Sequence, residues 1–153
     1  MNKQKILFVC TGNTCRSPMA EYLLKELLSH SQEEERFEVR SAGIQAVNGK
    51  SPSEKTVHVM RENGIDISGH RSCLLKADMM QNADKVFVME QDGKEILSDH
   101  FPTFKHKLYL ITDFSPNSQF NEIVDPIQGE IEEYSNIFTI IDGCVKDIIK
   151  NLM

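Results

Sequence analysis

The chain has 153 residues, with 17 Lys and Arg against 23 Asp and Glu and a net charge of −6. A length near ~150 residues suits one domain over residues 1–153, large enough to fold without disulfide or metal staples. Hydrophobic residues at 40% and charged residues at 26% exclude a wholly disordered chain, and the acidic balance argues against a general affinity for nucleic acid or an acidic membrane surface.

Lys5-Ile6-Leu7-Phe8-Val9-Cys10 is a continuous apolar run that predicts a strand covered on both faces. It is shorter than the ~7–15 apolar residues of a signal-peptide core, and no run approaches the ~18 residues of a membrane span. Ser17 and Pro18 then supply a helix start, Ser17 as cap and Pro18 at the first helical position. Ala20, Leu23, Leu24, Leu27 and Leu28 follow at helical spacing, with Glu21 four residues before Lys25. Ser29 to Arg36 reads as a polar loop, its three glutamates a solvated surface. Phe37 to Ala42 is a second predicted strand ending at Gly43, and Ser53 to Asn63 a helix closed by Gly64. Leu74 to Ala83 follows as another helix, Lys85 to Met89 as a third strand, Gln91 to His100 as a short helix and Lys107 to Ile111 as a fourth strand. Ile137, Ile140, Ile141, Cys144 and Ile148 place an apolar stripe on a C-terminal helix. Strands alternating with helices predict a parallel sheet built from right-handed βαβ units. Ligands bind such sheets at the carboxyl ends of the strands, where strand order reverses.

That rule directs attention to Cys10-Thr11-Gly12-Asn13-Thr14-Cys15-Arg16-Ser17. Successive amides in a short loop at a helix N-terminus form an anion cradle. Gly12 lets the backbone curl, and Asn13 is among the few other residues that tolerate positive φ. Arg16 adds a planar fork able to grip two phosphate oxygens. Cys10 closes the strand facing the same positive potential, where an attacking sulfur is stabilised. The alternative, a buried strand-end cysteine beside a surface arginine, is disfavoured by the strand before the loop and the helix start after it. Cys10, Cys15, Cys73 and Cys144 show no C-x-x-C spacing and no His in zinc register, so neither a metal site nor a disulfide framework is expected. The predicted location is cytoplasmic.

The nine residues from Cys10 to Pro18 closely resemble the signature of low-molecular-weight protein phosphatases. Ser41-Ala42-Gly43, Gly69-His70 and Asp125-Pro126 agree with it in order. The resemblance implies a flavodoxin-like α/β fold, a three-layer sandwich around a four-stranded parallel sheet in order 2-1-3-4. It also implies phosphate hydrolysis through a cysteinyl-phosphate, with no metal and no cofactor. Cys10 is then the nucleophile and Arg16 the clamp, while Thr11, Gly12, Asn13, Thr14, Cys15 and Ser17 bind phosphate. The reaction needs a general acid. Asp-Pro pairs by themselves mostly initiate turns, and the resemblance is what raises Asp125 to that role. It further implies that Ser17, Ser41 and His70 hold Asn13 through side-chain hydrogen bonds, that Ser17 donates to the Cys10 sulfur, and that Cys15 can form a redox disulfide with Cys10. Cys144 reads as core, Cys73 as without a role.

Thr14 resembles the residue of protein-arginine phosphatases, where tyrosine phosphatases of the family have an apolar residue such as isoleucine. A hydroxyl on this wall suits a guanidinium better than a phenyl ring. Tyrosine-directed relatives also place aromatic residues after Asp-Pro, where this chain has Ile127-Gln128-Gly129; Tyr134 lies farther on and reads as a packing residue. The expected function is a protein phosphatase that prefers phosphoarginine, with phosphotyrosine as the alternative. Its expected partner is a phosphorylated protein, with neither nucleic acid nor membrane, and a monomer is favoured. Arsenate reductases of similar fold need further redox cysteines near the third strand, and Val86 to Ile96 holds none. A non-catalytic phosphate-binding module would be expected to lack Cys10, Arg16 or Asp125, and all three are present.

Overall fold

Alternation along β1 (Gln4–Cys10) sets the two faces of the sheet. The structure, a computed structural model, describes residues 2–116 and 121–153. β1 lies at the centre, parallel to β2 (Phe37–Gly43) on one side and to β3 (Lys85–Val88) on the other, with β4 (Leu108–Leu110) beyond β3. The order is β2-β1-β3-β4, as expected. Ile6, Phe8 and Cys10 enter one apolar cluster with Met19, Leu23 and Leu24 of α1 (Arg16–His30), Val59 and Met60 of α2 (Glu54–Glu62), and Phe138, Ile141 and Ile148 of α5 (Ile131–Leu152). Leu7 and Val9 enter the other with Met80 of α3 (Ala77–Asn82), Val86, Val88 and Leu97 of α4 (Gln91–His100). A strand buried on both faces needs no polar alternation, which is why β1 reads as an unbroken apolar run.

On α5 the buried stripe is Tyr134, Phe138, Ile141, Cys144, Val145 and Ile148, whereas Ile137 and Ile140 are only partly buried beside it. Tyr134 is a packing residue and Cys144 a core one, as predicted. Among the described residues no helix is long and apolar enough to cross a membrane.

Several boundaries differ from the sequence reading. α1 begins at Arg16, with Cys15 in the cap position, so Ser17 is not the cap and Pro18 is the third helical residue. The helix that was expected from Leu74 begins only at Ala77. Residues 73–75 instead run beside the end of β2, where the Gly43 amide donates to the Cys73 carbonyl and the Leu75 amide to the Gly43 carbonyl, each at 2.9 Å. β4 stops at Leu110 because Ile111–Phe114 turns into a 3-10 helix, closed by Asp113 accepting from the Leu110 amide.

The register pairs Cys10 with Gly43 and Val9 with Val88. The carboxyl ends of β1, β2 and β3 therefore open on the same side of the molecule, under the start of α1.

Candidate active site

Cys10 ends β1, and the chain turns over it into α1 through Thr11 to Cys15. Asn13 makes the turn, with φ 58°, and is fully buried. Gly12 was expected to supply the curl, yet it is not among the residues with positive φ, and a Cβ there would meet nothing nearer than Thr14 Oγ1 at 3.7 Å. The steric demand falls on Gly43. A Cβ at Gly43 would sit 2.7 Å from the Thr11 carbonyl oxygen and 2.9 Å from the Asn13 amide nitrogen. The loop thus rests directly on the backbone at the end of β2.

The Asn13 side chain uses every polar atom it has. Its Nδ2 donates to Ser17 Oγ at 2.8 Å and to Ser41 Oγ at 2.9 Å, and its Oδ1 accepts from the Cys73 amide at 2.9 Å. The expected network is present with its direction reversed, since Asn13 donates to both serines. His70 reaches the backbone instead of the side chain: Nε2 lies 2.9 Å from the Asn13 carbonyl oxygen, which can only accept, so this nitrogen carries the proton. The network extends to Glu21, which accepts from Ser41 Oγ and pairs with Lys25 at 2.5 Å. Because Ser17 Oγ accepts from Asn13, its own proton has two acceptors in reach, the Cys10 sulfur at 2.9 Å and the more distant Ala42 carbonyl at 3.5 Å, and the Asn13 amide approaches the same sulfur at 3.3 Å. Cys10 is buried at 6% exposure and faces two donors.

No side chain caps the N-terminus of α1. Its first-turn amides and positive dipole end are thereby left for an anion above Cys10. Arg16, in that first turn, is the largest fully buried side chain. Its Nη1 donates to Glu90 and to the Ile123 carbonyl at 2.8 Å, while Nη2 lies 3.3 Å from Thr11 Oγ1 and 3.6 Å from Asp125 Oδ2. One edge of the guanidinium is anchored, and the other faces the loop. Asp125 is held from behind, its Oδ1 accepting from the Ile127 amide at 3.1 Å. Thr14 is half-buried, and its carbonyl accepts from the Ser53 amide at 3.0 Å.

Cys15 is buried beside Cys10, and both thiols are free. Burial pushes the Cys15 thiol up to about 12. A cleft of about 170 Å³ adjoins Cys10, Thr11 and Arg16, with Ile44, Met89 and Ile96 among its apolar lining and Glu90 and Asp92 among its polar one. Among the described residues no group of three or more His, Cys, Asp or Glu side chains could hold a metal ion.

The structure brings Cys10, Thr11, Asn13, Thr14, Cys15, Arg16, Ser17, Ser41, His70 and Asp125 into one site. Sequence reasoning missed Glu90, Glu21, the Ser53 amide and the Cys73 amide. Only Glu90 had a usable signal, since it follows β3 at the carboxyl edge of the sheet, where ligand-binding residues collect. Cys73 takes part through its backbone amide.

A thiol beneath an uncapped helix N-terminus, an anchored arginine beside it and a carboxylate facing that arginine make an arrangement chemically suited to an oxyanion. The chain belongs to the low molecular weight phosphotyrosine protein phosphatase family, whose description matches residues 5–153. A low molecular weight protein-tyrosine-phosphatase of Acinetobacter johnsonii is 35% identical over 152 residues, 99% of this chain and all of that protein. A protein-arginine-phosphatase of Geobacillus stearothermophilus is 37% identical over 142 residues, 90% of this chain and 91% of that one. The crystal structure of a YwlE mutant from Bacillus subtilis superposes with a TM-score of 0.90 at 30% identity, covering 98% of this chain and 99% of the other. An arsenate reductase of Staphylococcus epidermidis is also similar, 35% identical over 136 residues, 88% of this chain and 98% of that protein.

Proposed function

We propose that the protein is a cytosolic, cysteine-dependent phosphatase acting on phosphoarginine in proteins, with the whole chain as one catalytic domain. The observation that carries the reading is the placement of the Cys10 sulfur, 2.9 Å from the Ser17 hydroxyl beneath the uncapped start of α1. Cys10 attacks phosphorus in line, and an S–P bond forms as the P–N bond breaks. Arg16 and the loop amides hold the equatorial oxygens as charge redistributes. Asp125 gives its proton to the departing guanidine nitrogen, which would otherwise leave as a costly anion. A water then attacks phosphorus and Asp125 takes its proton; the S–P bond breaks and inorganic phosphate leaves.

Phosphoarginine is favoured over phosphotyrosine by the wall of the site. Thr14 presents a hydroxyl, and Ile127 stands 71% exposed where an aromatic ring would flank a phenyl substrate. Phosphotyrosine is the second reading, favoured by the full-length similarity to the Acinetobacter phosphatase. Arsenate reduction is disfavoured because Val86 to Ile96 has no cysteine and Cys144 lies on the buried face of α5, in the core.

Cys15 fits a protective role. Peroxide oxidises the Cys10 thiol to a sulfenic acid; the Cys15 sulfur then displaces that hydroxyl as water, and a two-electron thiol reductant reopens the disulfide. Burial keeps Cys15 protonated at neutral pH, so this capture is slow relative to an exposed thiolate.

The deciding experiment measures phosphate release from phosphoarginine and phosphotyrosine peptides by one preparation, alongside Cys10→Ser and an arsenate-reduction assay with a dithiol. Faster turnover of phosphoarginine, abolished by Cys10→Ser, is the expected result. Preference for phosphotyrosine, arsenate turnover in place of phosphate release, or a fully active Cys10→Ser enzyme would overturn it.

A further inference from the structure

The turn that carries Asp125 is pinned on its apolar side by buried Ile123 and Pro126, while its Val124 and Ile127 are 63% and 71% exposed. Its polar ties are few and specific. Upstream, the Ile123 amide donates to the Met89 carbonyl at 2.8 Å and the Ile123 carbonyl accepts from Arg16. Downstream, the chain turns through Pro126–Gly129, with Gln128 at φ 66° and the Gly129 amide donating to the Pro126 carbonyl at 2.7 Å. The Gly129 carbonyl accepts from the Lys55 ammonium at 2.5 Å, a bond between residues 74 apart in sequence.

Lys55 belongs to the first turn of α2, two residues after Ser53, whose amide holds the Thr14 carbonyl of the phosphate loop at 3.0 Å. The Lys55 ammonium also lies 5.8 Å from the centre of the Tyr134 ring, and the residue is half-buried. A lysine held this way has given up much of the freedom of a surface side chain, so its bond to Gly129 has a fixed direction. One helix start therefore holds both the loop that binds phosphate and the turn that bears the carboxyl.

We propose that Lys55 is a positioning residue for Asp125, setting the distance between its carboxyl and the leaving atom of a phosphoryl group on Cys10. This rests on the reading of Asp125 as proton donor. The ammonium does not touch substrate; it acts through the Gly129 carbonyl and the turn. Small misplacements of a catalytic group slow a reaction strongly, about 100-fold for about 1 Å, and only where the leaving group needs its proton.

The test is kcat/KM, which reports formation of the phosphoenzyme, for three substrates. Phosphoarginine and phenyl phosphate depart from basic atoms and need protonation; dinitrophenyl phosphate departs as a stable anion. Lys55→Met keeps the apolar stem against Tyr134 and removes the donor. It should lower kcat/KM for the first two substrates by about 10- to 100-fold and for the third by less than about threefold. Lys55→Arg, which restores a donor, should recover most of the loss, and Asp125→Asn should show the same split more strongly. Thermal unfolding of each variant shows whether it is folded, and if Lys55→Met is not, Lys55→Gln takes its place. An equal loss on all three substrates, no loss, or a failure of Lys55→Arg to recover would overturn the role of Lys55. If Asp125→Asn shows no split, the proton-donor reading fails and the proposal falls with it; a split in Asp125→Asn alone refutes only Lys55.

Discussion

Asn13 allows the energetics of the loop to be separated into backbone and side-chain parts. It is fully buried at φ 58°, and its side chain makes three hydrogen bonds. Asn13→Gly removes those bonds while leaving the backbone conformation unstrained. The Ser17 hydroxyl keeps Cys10 and the Ser41 hydroxyl keeps Glu21, so each of these two losses is about 1 kcal/mol. The Cys73 amide loses its acceptor, at about 1–3 kcal/mol, so Asn13→Gly should destabilise by about 3–5 kcal/mol in all. Asn13→Ala loses the same bonds and adds the left-handed penalty of a Cβ, about 1–2 kcal/mol more. Urea unfolding of the three proteins supplies the stabilities, and phosphate release from phosphoarginine peptide supplies the activities. Both variants should lose most of their kcat/KM, because the Asn13 amide and the Ser17 hydroxyl no longer meet the Cys10 sulfur in one geometry. Equal stability of the Gly and Ala variants would refute the claim that positive φ is strained here, and a loss below about 1 kcal/mol in both would refute the network as the support of the loop.

Three further outcomes are expected. Gly43→Ala pushes a methyl against the Thr11 carbonyl and the Asn13 amide, backbone atoms that cannot swing aside; it should destabilise by about 1–3 kcal/mol and lower kcat/KM at least about tenfold, whereas Gly12→Ala, with open space, should unfold like the wild type in urea. Thr14→Ile exchanges one β-branched residue for another, removing the hydroxyl and adding apolar surface; the ratio of kcat/KM for phosphoarginine over phosphotyrosine should fall, by an amount worth about 1–3 kcal/mol, and an unchanged ratio would remove Thr14 from specificity. Cys15 has a folded-state pKa raised by burial to about 12 from the ordinary 9.0, so the folded state binds more protons than the unfolded one between those values. Its contribution to stability is complete below 9.0 and is lost as pH rises toward about 12. Moving from about pH 8 to about pH 10 should therefore destabilise the wild type by about 1.4 kcal/mol more than Cys15→Ala, as read from urea midpoints.

Much of the fold was legible because its signals are local. The apolar run of β1 marks a strand buried on both faces, and the alternation of strands and helices leaves few topologies for a parallel sheet. Cys10, Asn13, Cys15, Arg16 and Ser17 lie within eight consecutive residues, so a loop between strand and helix brings them together whatever the rest of the chain does. Asp125, Ser41 and His70 were found only through resemblance, since an Asp-Pro pair, a serine in a strand and a histidine after glycine carry no chemistry by themselves. Where the sequence reading went astray, a long-range contact had overridden a local preference. Ser17 looks like a helix cap but spends its hydroxyl on Cys10 and Asn13, and Leu74 looks helical but pairs beside Gly43.

Tertiary structure alone decided what holds these residues in place. Arg16 meets Glu90, and Lys55 meets Gly129, across 74 residues of chain in each case. Neither pair shares an element, a spacing or a motif. Each exists because the parallel sheet delivers strand ends to one edge and α2 and α5 pack over the same face of β1. The order of the residues along the chain therefore placed Cys10, Asn13, Arg16 and Ser17 together, because a turn of one loop is enough to assemble them. Which carboxylate anchors the arginine, which glycine the loop rests on and which lysine meets the Gly129 carbonyl depend on distances between distant segments, and those become defined only when the core has packed.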